Sequence, residues 1–404
     1  MASPVRPVLP RLEPPASLRQ PAALTDDLLQ EIFLRIASPA DLARTSTACI
    51  SFSRLIADPS FLRRYHSTHP PLLLGFLSDD YGGREIFKPV EAPHPNSAAA
   101  RALASALNFS FNDYLPPARW KPWYIQDVRH GRVLFSSRCD DKNVLPDLAV
   151  CDPLSRGSLL LPPMPEQFVQ GHIFRRSDAV FYPSADATLF RVMVVVHSLT
   201  KLLVFVFNST SSSWGVGSST SWDSLSLSRC PIMCELPCHV YGCFYWKLHW
   251  MYKFSNNPMN GNKLLKLDMT TMEFSTVDLP PDHDEQSILV VEEGEGRIGI
   301  ISHKWHGTHL NYYSSMQNLS QMANQWQMNN IIPVPVQDNL SLFRSAQGYI
   351  FLIGDSNAQD TVGMACFSLE IKSLKIERVS RMKMYELRNF PYFGFPPSMS
   401  LRRI

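Results

Sequence analysis

The feature that most restricts the fold is a recurrence. Glycine stands just before a short apolar run in HGRVLF (Gly131), GCFYW (Gly242), GRIGII (Gly296) and GYIFLI (Gly348). The intervals are 111, 54 and 52 residues, and 111 is twice about 55. The skipped place falls near Ala187, where ATLFRVMVVV starts a run without the glycine. A second landmark repeats inside each unit: an apolar run, a polar turn and another apolar run. It is legible in LAVCDPLSRGSLLLPP, LLVFVFNSTSSSW, LLKLDMTTMEF and MACFSLEIKSLKI. Asp152, Asn208 and Asp268 occupy the corresponding turns, 56 and 60 residues apart, and NLSQMANQW near Trp326 reads as a degenerate fifth copy.

Units of roughly 50–60 residues hold four strands each, which suits a propeller blade better than a shorter solenoid repeat. Neither the Kelch nor the WD signature is legible. Five units are countable. PLLLGFLSDDYGGREIFKPV begins a sixth, to be completed by C-terminal strands such as NFPYFGF. The expectation is a mainly β protein with a six-bladed β-propeller over 72–404. A pair of β-sandwiches is the competing reading, but nothing in a sandwich requires one spacing to persist through so much chain.

Hydrophobic residues make up 45% of the 404 and charged ones 18%, the balance of a folded chain. A formal charge of +2 with no dense basic run argues against phosphate-driven nucleic-acid binding. The most apolar stretch, FRVMVVVHSLTKLLVFVF, is interrupted by His197 and Lys201 and reads as two strands around a turn, so no membrane partner is expected. Residues 1–22 are broken by prolines, lack the apolar centre of a secretory signal, and are expected to be disordered. These features point to a cytoplasmic or nuclear chain, with its eight cysteines as free thiols and Asn108, Asn208, Asn318 and Asn339 unglycosylated.

Ahead of the repeats lies a helical segment, 23–68. Leu24, Leu28, Leu29, Ile32, Phe33 and Ile36 follow a three-and-four spacing, with Asp26, Asp27, Gln30, Glu31 and Arg35 opposite. Ser38-Pro39-Ala40-Asp41 supplies a cap, a proline at the first helical position and an acid; Asp58-Pro59 repeats the punctuation. Three or four short helices fit. So small a unit has more apolar positions than its helices can hide from one another, and an unpaired apolar face calls for a partner.

LTDDLLQEIFLRI…ADLARTSTACISFSRLIADPSFLRR resembles an F-box, and PADLARTSTACISFSRLIADPSFLRRYHSTHPPLLLGF is similar to a large group of grass F-box proteins. GCFYW…LLKLD…MEF…VDLPP is similar to the propeller-like associated domain of that group. The resemblance implies a module that docks the Skp-type adaptor of a Skp–cullin–F-box ubiquitin ligase. Carried over by position, Leu24, Leu28, Ile32, Leu42, Cys49 and Phe52 are the implied adaptor-facing residues; some must pack the module's own core, and the pattern does not apportion them. Thr25 stands where the family usually has proline, and Phe52 where it often has tryptophan.

Other motifs read as structure. Cys230, Cys234, Cys238, His239 and Cys243 are enough ligands for zinc, but they recur every four or five residues instead of forming two close pairs, and Pro231 and Pro237 oppose the helix that would align them. His303, His306 and His309 cannot share one face of a strand, and a solvent-edge turn fits them better. GEGRIG, 294–299, matches a dinucleotide fingerprint by letter, yet RIGIIS continues as a strand with no helix to receive a pyrophosphate. No cofactor, metal or catalytic set is expected.

The function expected is therefore a non-catalytic specificity subunit that holds an unknown protein target for ubiquitination. A propeller enzyme and an F-box scaffold outside ubiquitination are the alternatives. Trp120–Tyr124, Cys230–His239 and His303–His309 are the segments offered for target contact.

Overall fold

The computed structural model of the protein describes residues 24–394 apart from 70, 80–85, 107–108, 118–121, 138–144, 155, 166–167, 169–173, 183–188, 228–231, 234–236, 250–261, 305–306, 317–324, 336–339, 356–363 and 383–387. The chain divides into two compact units, Met1–Thr68 and His69–Ile404.

Among its described residues the first unit holds four helices: α1 (Asp26–Leu34), α2 (Pro39–Ser46), α3 (Ile50–Ile56) and α4 (Pro59–Thr68). Each starts on a side chain that accepts a free backbone N–H of the first turn. Thr25 Oγ1 accepts from Leu28 N at 3.4 Å, Ser38 Oγ from Asp41 N at 3.3 Å, Cys49 Sγ from Phe52 N at 3.5 Å, and Asp58 Oδ1 from Phe61 N at 3.2 Å. Phe33, Leu42, Leu55, Ile56, Phe61, Leu62 and Tyr65 form the buried interior. The Tyr65 hydroxyl donates to the carbonyl of Ile36 at 2.8 Å, tying α4 to the end of α1.

In the second unit, β1 (Leu72–Ser78) and β2 (Phe87–Pro89) precede α5 (Ser97–Ala106). Five antiparallel sheets follow among the described residues, four of them four-stranded and one five-stranded. The first contains β3 (Trp123–Arg129), β4 (Arg132–Ser137), β5 (Leu148–Asp152) and β6 (Gly157–Leu160). The next contains β7 (Phe174–Tyr182), β8 (Arg191–Ser198), β9 (Lys201–Asn208) and β10 (Ser213–Ser221). A fourth blade has β11 (Ile232–Met233), β12 (Cys238–Val240), β13 (Cys243–His249), β14 (Lys263–Asp268) and β15 (Glu273–Asp278). The fifth comprises β16 (Ser287–Gly294), β17 (Arg297–His303), β18 (His309–Met316) and β19 (Gln325–Pro333), and the sixth β20 (Ser341–Ala346), β21 (Tyr349–Asp355), β22 (Met364–Glu370) and β23 (Ile376–Met382).

The last strand, β24 (Asn389–Gly394), returns to pair antiparallel with β1, Leu72 opposite Gly394 and Ser78 opposite Asn389. It completes the first blade as β2-β1-β24 and closes a six-bladed propeller. α5 packs against β1 and β2. The sandwich reading is thereby set aside, because each sheet packs on neighbours at both faces around a ring.

The recurrent glycines now have a cause. Gly131, Gly242, Gly296 and Gly348 sit in the two-residue turn between the first and second long strands of their blades, at φ of 76°, 71°, 75° and 80°. The residue before each, His130, Tyr241, Glu295 or Gln347, also has positive φ, as this tight hairpin requires. GEGRIG is one of these hairpins, leading straight into β17. The polar turns join third and fourth strands: Leu154 N, Thr210 N and Thr270 N donate to the side chains of Asp152, Asn208 and Asp268 at 2.9, 3.0 and 2.8 Å. The degenerate copy at NLSQMANQW falls on the same connection, between β18 and β19, mostly outside the described residues.

Second strands read as unbroken apolar runs because both faces are covered. Along β8, Val192, Val194 and Val196 join a core shared with Leu134 and Val150 of the blade before, whereas Met193 and Val195 join one shared with Phe244 and Trp246 of the blade after. β13 repeats the arrangement, with Phe244, Trp246 and Leu248 on one side, Cys243 and Tyr245 on the other. Outermost strands add a polar clamp: Trp214 Nε1 donates to the Pro162 carbonyl and Trp326 Nε1 to the Asp278 carbonyl, both at 2.7 Å and both reaching the preceding blade.

Candidate functional site

In the helical unit the three-and-four stripe is divided between interior and surface. Phe33 is buried, with the Phe52 ring edge-on at 5.0 Å and the Phe61 ring at 6.4 Å. Leu24, Leu28 and Ile32 turn outward at 54%, 52% and 47% exposure, and Ile50, the first residue of α3, is 89% exposed. Leu28 and Ile32 are one helical turn apart on α1, with Leu24 just before its cap. Arg54 pairs with Asp26 at 3.2 Å and Arg64 with Glu31, linking α1 to α3 and α4; both pairs are exposed and add little stability.

Among the six residues implied for adaptor contact, Leu42 is corrected. It is fully buried, since α2 packs against α3 and this side chain fills the module's interior. Cys49 is exposed and serves as the α3 cap, while Phe52 is half-buried against Phe33. Thr25, the departure from proline, caps α1. Ile50 was missed; its place at a helix start, outside the three-and-four run of α1, left no periodic signal.

The propeller concentrates charge where its innermost strands meet. The strands touching their neighbours around the ring are β24, β3, β7, β12, β16 and β20. Asp127 on β3 is buried: its Oδ2 accepts from Phe181 N of β7 and from Arg129 Nε, both at 3.0 Å, and its Oδ1 lies 3.8 Å from Arg344 of β20. One carboxylate thus holds three blades. Arg344 lies over the Phe390 ring at 4.2 Å, and Arg129 over Phe244 at 5.6 Å; His239 of β12 packs on the same Phe244 at 5.0 Å. Burial pushes the Arg344 guanidinium down to about 10, with Asp127 opposing. Burial, reinforced by Arg129, pushes His239 down to about 4. Nearby, Asp79 accepts from Ile125 N at 2.6 Å; burial raises its carboxyl, with that N–H and Arg388 opposing.

Asp127 and Arg344 both stand four residues before a turn glycine, and both directly follow a β-bulge, at Ile125/Asp127 and Leu342/Arg344. A bulge re-aims the residue beside it, here toward the axis. That shared register is the signal through which sequence reasoning could have found them.

The cysteine-rich stretch divides. Cys238 and Cys243 lie on paired strands β12 and β13, whereas Cys230 and Cys234 fall outside the described residues. Among the described residues no three or more His, Cys, Asp or Glu side chains gather as a metal set. His303 is buried, its Nε2 at 3.1 Å from the Gly307 carbonyl, which corrects the solvent-edge reading there; His309 is exposed and His306 lies outside the described residues. Of Trp120–Tyr124, Trp120 and Lys121 are outside them as well.

A family model described as "F-box protein AT5G49610-like, beta-propeller" matches residues 124–389, which is 266 of the 404 residues and runs from β3 to the first residue of β24. The chain belongs to this family. No curated protein matches it. Solved structures similar to the F-box propeller chain include TolB from Acinetobacter baumannii (TM-score 0.37, 11% identity, covering 73% of this chain and 61% of that one). A post-proline cleaving enzyme from Rickettsia typhi gives TM-score 0.35 and 13% identity over 65% and 39% of the two chains. An oligogalacturonate lyase in complex with manganese gives 0.33 and 9% over 61% and 62%. The chain spans less than two thirds of each of these proteins.

Proposed function

We propose that this F-box propeller protein is the substrate-recognition subunit of a Skp–cullin–F-box ubiquitin ligase, of the grass type its sequence resembles. The observation that carries the reading is the outward row Leu24, Leu28 and Ile32, together with Ile50, on a module whose own interior is already filled by other side chains. Covering one such leucine or isoleucine with a partner's side chains contributes about 1.5–3 kcal/mol, so four leave a large driving force for docking. The partner with matching chemistry is an apolar helical groove, as in the Skp-type adaptor, which links to a cullin.

The propeller is then the arm that holds a protein target. Its contribution is proximity: a target lysine is kept near the ubiquitin-loaded enzyme at high effective concentration, and the chain itself performs no covalent step. The site of action is the cytoplasm or nucleus, with neither nucleic acid nor membrane as partner.

Co-purification of the full chain with a Skp-type adaptor and cullin tests this. The double variant Leu28→Asp, Ile32→Asp is expected to weaken adaptor binding at least about a hundredfold, because two carboxylates would be desolvated in an apolar contact. A wild-type chain that ignores every Skp-type adaptor, or a double variant that binds as well as wild type, rules the reading out.

A further inference from the structure

We propose that the propeller axis carries a binding site for an oxyanion, a carboxylate or phosphate group of a small molecule, formed by Arg344, Arg129 and His239. The site is independent of the helical module and of the ligase reading.

The argument begins with donors. Arg344 is only 13% exposed in its side chain, and its Nε is buried without a hydrogen-bond partner. Its contacts are the 3.8 Å ion pair to Asp127, too long for a hydrogen bond, and the face of Phe390. A guanidinium offers five N–H donors in a planar fork, and a buried charge with unused donors is costly unless something accepts from them. Arg129 gives Asp127 only its Nε; its terminal nitrogens have no hydrogen bond among the described residues, and the side chain is 25% exposed, so solvent reaches it. His239 adds a buried Nε2, also without a partner.

These three groups come from β20, β3 and β12, in three different blades; Arg344 and Arg129 meet at Asp127, and Arg129 and His239 meet over the Phe244 ring. Asp127 does not use up the positive charge. Each of its oxygens already serves backbone as well as guanidinium: Val128 N at 2.9 Å on Oδ1 and Phe181 N at 3.0 Å on Oδ2. Arg388 adds a third positive charge acting on Arg344 and Asp79. Among the described residues, three arginines thus act on two acids, one positive charge in excess in a place of low dielectric. An anion with two or more oxygens would take the forks of Arg344 and Arg129 together, the geometry in which arginine outperforms lysine. A planar carboxylate and a tetrahedral phosphate both meet that requirement.

The test uses the full-length protein. Inorganic phosphate, citrate and sodium chloride at matched ionic strength are titrated by calorimetry and by thermal unfolding followed through tryptophan fluorescence. Phosphate or citrate is expected to bind saturably and raise the unfolding midpoint, while chloride does not; the comparison of the two ligands tells which oxyanion fits. Arg344→Gln is expected to weaken binding about tenfold to a hundredfold, the loss of one charge-assisted contact. Arg129→Gln, at a partly exposed side chain whose replacement amide can still donate to Asp127, gives the same direction of change if Arg344→Gln does not fold. Arg381→Gln, a surface residue paired with Glu91, serves as control and is expected to leave binding unchanged. No saturable binding of either ligand, or equal binding by folded Arg129→Gln, overturns the proposal; it would mean that water alone satisfies these donors.

Discussion

The helical unit and the propeller treat apolar and charged side chains in opposite ways. The helical unit, under fifty described residues, buries seven hydrophobic side chains and leaves Leu24, Leu28, Ile32 and Ile50 in water. The propeller buries most large hydrophobes of its second strands, and then buries charge as well, with Asp127, Asp79 and Arg344 drawn inward. Size is the physical reason. A small unit has too much surface for its volume and must export apolar area, whereas a ring of six sheets has interior to spare and can enclose polar groups that bond to one another. An exported apolar face is suited to lasting contact with another protein, and an enclosed charged cluster to selective recognition of something small or narrow.

The comparison breaks most sharply on a core substitution in the propeller. Phe351 is fully buried between the sixth and first blades, with the rings of Phe76, Phe343 and Phe393 at 5.4, 6.0 and 6.2 Å. Phe351→Ala is expected to cost about 3–5 kcal/mol. All eight tryptophans lie at or beyond residue 120, so tryptophan fluorescence reports this unfolding without a contribution from the helical unit. A loss below about 1 kcal/mol would show that closure of the ring is looser than its packing indicates.

Next in size is acid. In the fold His239 takes a proton only near about 4, against about 6.5 in the unfolded chain, so between these values the unfolded chain binds the proton first. Its contribution is whole above about pH 6.5 and is lost as pH falls toward 4, on the order of 3 kcal/mol. Burial also lowers His94, His283 and His303, which act in the same direction. Denaturant midpoints by tryptophan fluorescence should therefore fall steadily from pH 7 to pH 4.5. A flat profile over that window would mean the propeller histidines are reached by water.

The smallest effect is expected where the molecule faces outward. Leu28→Asp should change the stability of the helical unit by no more than about 0.5 kcal/mol, since it empties no core and puts a carboxylate in the first turn of α1, where the helix dipole favours it. Helix ellipticity against temperature checks this. A large loss would place Leu28 inside the module's core and erase the contrast between the two units.

Much of this was legible in one dimension, and the residues show why. Gly131, Gly242, Gly296 and Gly348 announce the blades because a two-residue hairpin needs left-handed backbone at a fixed place in each. The pairing of β1 with β24 was foreseeable once five units had been counted, since a sixth blade needs strands from both ends of the chain. Leu42 could not be assigned in the same way: it and Ile32 are both apolar on short amphipathic helices, and only the packing of α2 on α3 decides which one sees water. Asp127, His239 and Arg344 are about a hundred residues apart; the register before a turn glycine marks the first and the last, but nothing local shows that the three come together.

By itself, then, the order of residues determined the local geometry: where helices are capped, where hairpins turn, how often a blade recurs, and hence the ring that the blades must close. These follow from short-range sterics and hydrogen bonding, which act over a few residues. Which leucines are left outward, and which charges from separate blades meet at the axis, was decided only in the folded chain. Both depend on distances between residues that are remote along the sequence, and burial and Coulomb interaction respond to distance through space.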